Sequence, residues 1–381
     1  MRDMVEIGMG RTARRTYELG EINIVPSRRT RSSQDVSTGW QLDAYRFDIP
    51  VIAHPTDALV SPDFAIELGR LGGLGVLNGE GLIGRHADVE GCIARVVEAA
   101  DKQVDPAVPV RMLQQLHAAP LDLDLLGEAV ARVREAGVTT AVRVSPQNAQ
   151  ALTPTLVAAG IDLLVIQGTI ISAERVTQGR DGGEPLNLKT FISELDVPVV
   201  AGGVADHRTA LHLMRTGAAG VIVGYGATSG VTTSDEVLGI CVPMATAIAD
   251  AAAARREYLD ETGGRYVHVL ADGDIHTSGE LAKAIACGAD AVMLGTPLAT
   301  AAEALGGGWY WPSAAAHPSL PRGALLQVAL GERPPLDRVL NGPSDDPFGS
   351  LNVVGGLRRS MAKAGYCDLK EFQKVELTVG S

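Results

Sequence analysis

Eight short β-branched runs recur along this chain, over 49–54, 75–78, 139–145, 163–167, 197–202, 220–224, 266–271 and 291–295. Most are followed by a stretch whose apolar residues repeat at helical spacing, over 63–71, 88–100, 125–136, 149–159, 208–216, 244–257 and 279–286. Near-continuous apolar runs belong to strands buried on both faces, and alternation with amphipathic helices makes those strands parallel. Three helices run into Ala136-Gly137, Ala159-Gly160 or Cys287-Gly288, where glycine accepts the left-handed cap that ends a helix. Eight such units predict an α/β fold, a (β/α)8 TIM barrel over 40–305. A doubly wound open sheet is the alternative. No G-x-G-x-x-G follows the first run, which counts against it. The stretch 79–134 is long for one crossover and predicts two helices, but it is too short to hold a regulatory domain as well.

Three further segments flank the barrel. Residues 1–39 read as an N-terminal arm with a first strand. Residues 306–350 break into W-Y-W-P, H-P and P-P-L, an irregular proline-rich stretch of the kind that forms a flap over a barrel mouth. Residues 351–381 read as a final helix over 355–364 and a tail.

A net charge of −12 argues against a nucleic-acid or anionic-membrane partner. The basic cluster Arg11, Arg14, Arg15, Arg28, Arg29 and Arg31 reads as a solvated arm or subunit contact, with a polyanion site as the alternative. Cys92, Cys241, Cys287 and Cys367 lie far apart, without a CxxC pair or metal-ligand spacing. With no signal peptide and no apolar run of about 20 residues, this predicts a cytoplasmic chain without a metal centre.

Barrel active sites sit at the carboxyl ends of the strands. That rule selects His54 to Asp57, Asn78, Gln147, Asn148, Gln167, the loop 224–234, Asp272 to Ser278, Gly295 and Thr296. A-D-G-D-I-H-T-S-G-E (271–280) and L-G-T-P (294–297) predict a phosphate site. Glycine there lets amides approach an anion, and a helix starting near Ser278 aims its positive end at it. The loop V-G-Y-G-A-T-S-G-V-T-T-S (223–234) is rich in glycine and hydroxyls but holds no cysteine, histidine or lysine. His54, His276 and Asp272 offer acid/base groups for a different barrel reaction, or are simply hydrogen-bonded loop residues.

Y-E-L-G-E-I-N-I-V-P (17–26), D-I-P-V-I-A-H-P-T-D (48–57), L-G-G-L-G-V-L-N (71–78) and V-P-V-V-A-G-G-V-A (197–205) occur in that order. A-D-G-D-I-H-T-S-G-E-L-A-K-A-I-A-C-G-A-D-A-V-M-L-G-T (271–296) and V-V-G-G-L-R-R-S-M (353–361) follow. Over nearly its whole length the chain thus resembles the IMP dehydrogenase/GMP reductase family, most closely the short bacterial IMP dehydrogenase-related branch without CBS domains. The resemblance implies a homotetrameric barrel of guanine nucleotide metabolism that handles a purine 5′-monophosphate with NAD. A monovalent cation and an active paralogue are further candidate partners.

Departures from the family pattern fall on the site itself. Where the family has G-P-G-S-x-C-T-T, this chain has G-A-T-S-G-V-T-T (226–233), keeping Ser229, Thr232 and Thr233 but placing Val231 at the catalytic cysteine. The family's thiolate attacks the purine C2, hydride passes to NAD, and water releases the product. Valine has no lone pair, and the Thr232 hydroxyl is a poor nucleophile without a base. Cys241, ten residues on, reads better as a small packed thiol than as a substitute. No residue is therefore assigned as catalytic, and oxidation of IMP is expected to be weak or absent. The alternative is a silent nucleotide-binding, regulatory or assembly paralogue. The resemblance places Ser229, Asp272, Gly273, Asp274, Gly295 and Thr296 at the substrate, and Gln167, Gly224 and Gly226 at the cofactor. Gln167 stands where the family has a carboxylate for the nicotinamide ribose. Asp272 keeps the ribose-binding aspartate, whereas Asp274 replaces a phosphate-contacting glycine and repels the anion unless it turns away or His276 neutralises it. In P-R-G (321–323), Pro321 replaces a phosphate-contacting tyrosine, and R-P-P-L-D-R (333–338) is a loose match to the flap's Arg-Tyr pair.

Overall fold

The structure, a computed structural model, describes residues 4–102, 105–168, 186–225, 231, 234–273, 275–313, 317–319 and 323–380. Strands one to eight are Val51–Ala53, Leu74–Asn78, Ala141–Val144, Leu163–Gln167, Val199–Val204, Gly220–Val223, His268–Ala271 and Ala291–Leu294. They form one closed ring in chain order. The last strand pairs in parallel with the first, through Val292 with Val51 and Met293 with Ile52. Closure excludes the open sheet. Every one of the eight runs became a strand because each is an apolar segment buried by neighbours on both sides and by helices outside.

The helix ends follow local chemistry. Ser61 caps the helix Pro62–Arg70, its hydroxyl accepting from the Phe64 amide, with proline where no amide is needed. Gly137, Gly160 and Gly288 all adopt positive φ (75°, 87° and 119°), as the three glycine steps predict. Between strands two and three the chain builds three helices rather than two: Val89–Asp101, Ala107–His117 and Leu123–Glu135. Pro109 obscures the middle one in the sequence. It sits in that helix's first turn, where its missing N–H costs no intrahelical bond.

The amino pole of the barrel is plugged by the hairpin Trp40–Leu42/Tyr45–Phe47, with Leu42 wholly buried. Strand Leu377–Val379 pairs with Ile22–Ile24 and ties the chain's two terminal segments together. Beneath the barrel, Asp290 gathers Arg255 (2.7 Å), Lys370 (2.6 Å), Tyr266 (2.8 Å) and the Val269 amide (2.9 Å). Among the described residues no helix is long and apolar enough to cross a membrane.

After strand eight, Trp309–Tyr310 pairs with Leu326–Gln327. Trp311 is fully buried in a second apolar cluster with Ala58, Leu82, Ile93, Val96 and Leu113. Val231, in the loop after strand six, forms an antiparallel bridge with Gly323. The 306–350 segment, which follows strand eight, therefore also contacts the loop after strand six, two places away round the ring.

Candidate functional site at the barrel mouth

Strand ends one, four and seven bring His54, Gln167 and Asp272 together in the barrel interior, all less than a tenth exposed. The Gln167 amide Nε2 donates to Asp272 Oδ2 at 2.5 Å. An amide oxygen in that place would set two acceptors against each other, so the carboxylate fixes which way the amide points. His54 Nε2 lies 3.5 Å from the same Oδ2. The imidazole's other nitrogen, Nδ1, meets the Tyr310 hydroxyl at 3.3 Å. A phenol donating to Nδ1 leaves the proton on Nε2, facing the carboxylate, so the two contacts support one tautomer.

A second polar group occupies the ends of strands two to four, and the sequence reading missed it. Arg143 projects from strand three, with Nη1 3.4 Å from Glu80 and Nη2 donating to the Gln167 carbonyl at 2.9 Å. Burial lowers the Arg143 pKa, while Glu80 and Asp57 oppose the shift. Glu80 also accepts from the Ser145 hydroxyl at 2.9 Å and from the Asn148 amide. The signal was a lone charge in the apolar run T-T-A-V-R-V-S. A cation at that position has to find an anion inside the barrel. Gln167 joins the two groups, its side chain bound to Asp272 and its carbonyl to Arg143.

Nearby, Asp57 binds His117 at 2.9 Å and accepts from the Leu82 amide at 2.9 Å. His117 ends the middle helix of the strand-two crossover, which thus contributes a buried imidazole to the mouth. Asn78 is buried and accepts from the Glu80 amide.

The predicted phosphate side is arranged differently from the expectation. The helix Ser278–Ala286 begins with a capping box: Glu280 accepts the His276 and Thr277 amides (2.8 and 3.0 Å), and Thr277 accepts the Glu280 amide (3.2 Å). The Ser278 amide donates to the Gly349 carbonyl at 2.8 Å. Those four donors are spent within the protein, so this helix start does not present them to an anion. Gly295 leaves room for a neighbour too, since a Cβ there would sit 2.6 Å from the Tyr310 hydroxyl. The imidazole of His276 binds the Thr296 hydroxyl at 2.8 Å.

Gly224, at φ 101°, packs against strand seven, where a Cβ would meet the Asp272 carbonyl at 2.0 Å. Gly273 lies under Met244. Behind these two glycines is a cavity of about 280 Å³ that Tyr225 and Cys241 also line. Cys241 is exposed, not packed as expected, because it lies in the extended approach to the helix Met244–Thr262. Burial raises the Tyr225 pKa, helped by Asp206 and Cys241. Gly226, Ser229, Thr232, Thr233, Asp274 and Pro321 lie outside the described residues.

The IMP dehydrogenase/GMP reductase domain model matches residues 16–314. An uncharacterized oxidoreductase of Mycolicibacterium smegmatis is 88% identical over 378 residues, covering 99% of this chain and 100% of that protein. Another, from Mycobacterium tuberculosis, is 85% identical over 377 residues, covering 99% of this chain and 100% of that protein. The inosine-5′-monophosphate dehydrogenase of Pasteurella multocida is 39% identical over 169 residues, 44% of this chain and 31% of that enzyme. Among solved structures, the IMP dehydrogenase/GMP reductase-like protein of Corynebacterium glutamicum superposes with a TM-score of 0.92. It is 58% identical and covers 99% of this chain and 98% of its own.

Proposed function

This chain belongs to the IMP dehydrogenase/GMP reductase family, and we propose that it is a purine 5′-monophosphate-binding member in which cysteine-dependent oxidation of IMP is absent or very slow. The observation that carries this reading is Val231, an aliphatic side chain at the position that resembles the family's thiolate. Covalent catalysis needs a lone pair there, and losing such a nucleophile commonly removes several orders of magnitude in rate. Family membership alone does not supply an activity whose reacting group is missing.

For a nicotinamide cofactor the residues do not fit the family's ribose contact. Gln167 replaces the carboxylate, and its amide is committed to Asp272. For a nucleotide, Asp272 remains a buried carboxylate able to accept a sugar hydroxyl. The reading includes a cytoplasmic homotetramer in guanine nucleotide metabolism, acting alone or beside an active paralogue.

Calorimetric titration with IMP, XMP and GMP tests the binding half of this reading. NADH formation from IMP and NAD tests the catalytic half. Saturable binding of a purine monophosphate without turnover is the expected pair of results. No binding of any of the three overturns the nucleotide reading, and turnover at about 1–10³ s⁻¹, the ordinary enzyme range, overturns the loss of chemistry.

A further inference from the structure

Asp272 does not meet a ligand with its whole carboxylate. Oδ2 accepts from Gln167 Nε2 at 2.5 Å and faces His54 Nε2 at 3.5 Å. A carboxylate oxygen has two lone-pair directions, so these neighbours leave Oδ2 little capacity. No hydrogen bond reaches Oδ1 among the described residues, and it is the oxygen left for a ligand.

The Gln167 side chain is buried and leaves from a fixed main chain. The Gln167 backbone carbonyl accepts from Arg143 at 2.9 Å, and Arg143 is held in turn by Glu80. His54 is braced from behind by the Tyr310 hydroxyl at 3.3 Å. A second ligand hydroxyl reaching Oδ2 would have to displace the Gln167 amide and strand a buried donor, which cancels most of what the new bond contributes.

We infer that Gln167 is a specificity-determining residue: by holding Asp272 Oδ2 it leaves one carboxylate oxygen for the sugar. The pocket then takes 2′-deoxyribonucleotides about as readily as ribonucleotides. Recognition of a vicinal diol by a carboxylate uses both oxygens, one for each hydroxyl. With one oxygen occupied, a single sugar hydroxyl satisfies the site, and the 3′-hydroxyl common to both sugars suffices. The ligand class is accordingly purine 5′-monophosphates of either sugar. This inference rests on the nucleotide-binding reading given above.

The test is calorimetry of the wild-type protein with GMP against dGMP and with IMP against dIMP. Affinities within about threefold of each other in each pair are expected. A ribonucleotide preference of about tenfold or more, the loss expected when a full hydrogen bond to a carboxylate is removed, overturns the inference while leaving nucleotide binding intact. Binding of none of the four overturns both. Gln167→Ala supplies a second comparison, because it frees Oδ2 for the second hydroxyl and should bring in a ribonucleotide preference of at least about tenfold. A folded Gln167→Ala protein that still binds both sugars equally contradicts the role given to Gln167. Should that variant fail to fold, the wild-type pairs decide the matter alone.

Discussion

Val231 and Gly323 face each other in an antiparallel bridge, fastening the loop after strand six to the segment that follows strand eight. The position that resembles the family's nucleophile is thus a seam between these two segments, and an aliphatic side chain occupies it.

Replacing Val231→Cys introduces a thiol of similar size at that seam and should leave the fold intact. Full IMP oxidation should not follow, because Gln167 still holds Asp272 and still lacks the carboxylate that the family presents to the nicotinamide ribose. NADH formation by the variant is expected to stay below about 1 s⁻¹, the lower end of the usual enzyme range. Turnover well inside that range would show that the cysteine alone was missing.

Gly295 is tied to Tyr310 by space. A methyl group at residue 295 would lie 2.6 Å from the Tyr310 hydroxyl, closer than such atoms approach. Gly295→Ala should therefore push the tyrosine away from His54 and destabilise the protein by about 1–3 kcal/mol, the usual range for overpacking. Chemical denaturation gives the stability change. Because the Tyr310 ring carbon Cζ would also lie 2.8 Å away, the partner change is Tyr310→Ala: a loss in the Gly295→Ala/Tyr310→Ala double variant smaller than the sum of the single losses would confirm the clash, whereas additive losses would contradict it.

The charge cluster under the barrel sets the response to acid. Burial alone would raise the Asp290 pKa, but Arg255, Lys370 and His268 pull it down to about 2 from 3.8. A depressed carboxylate pKa contributes stability that is present above the unfolded value and lost as pH falls from about 4 to about 2. The contribution is about 2 kcal/mol. Burial lowers His268 to about 4 from 6.5, with Lys370 and Arg255 assisting against Asp290. The unfolded chain takes up that proton more readily, so stability also falls as pH drops from 6.5 to 4, by about 3 kcal/mol. Denaturant midpoints across pH 4–7 should flatten in His268→Gln, which retains an acceptor for the Asp43 amide that now donates to His268. Asp290→Asn should cost about 3–5 kcal/mol near neutrality, because it leaves the buried Arg255 without its anion.

How far the sequence could be read depended on whether local pattern or distant geometry set each feature. Strand runs such as 163–167 and glycine steps such as Ala159-Gly160 carry their own physical cause, and both emerged where expected. The middle crossover helix was hidden because prolines in and just before its first turn resemble a break. At the mouth, Asp272 and Gln167 were recognisable singly, but their bond joins residues 105 positions apart. No local periodicity reports such a pair. Arg143 and Tyr310 were overlooked for the same reason: one lies within an apolar strand and the other in an irregular segment, and each gains meaning only from what the fold sets beside it.

Mass spectrometry of the intact protein after incubation with IMP and NAD separates binding from bonding, through native and denaturing conditions. Under native conditions a population heavier by one purine monophosphate is expected. Under denaturing conditions that mass should vanish completely, leaving every cysteine unmodified. A nucleotide adduct that survives denaturation, on Cys241 or any other residue, would contradict this expectation.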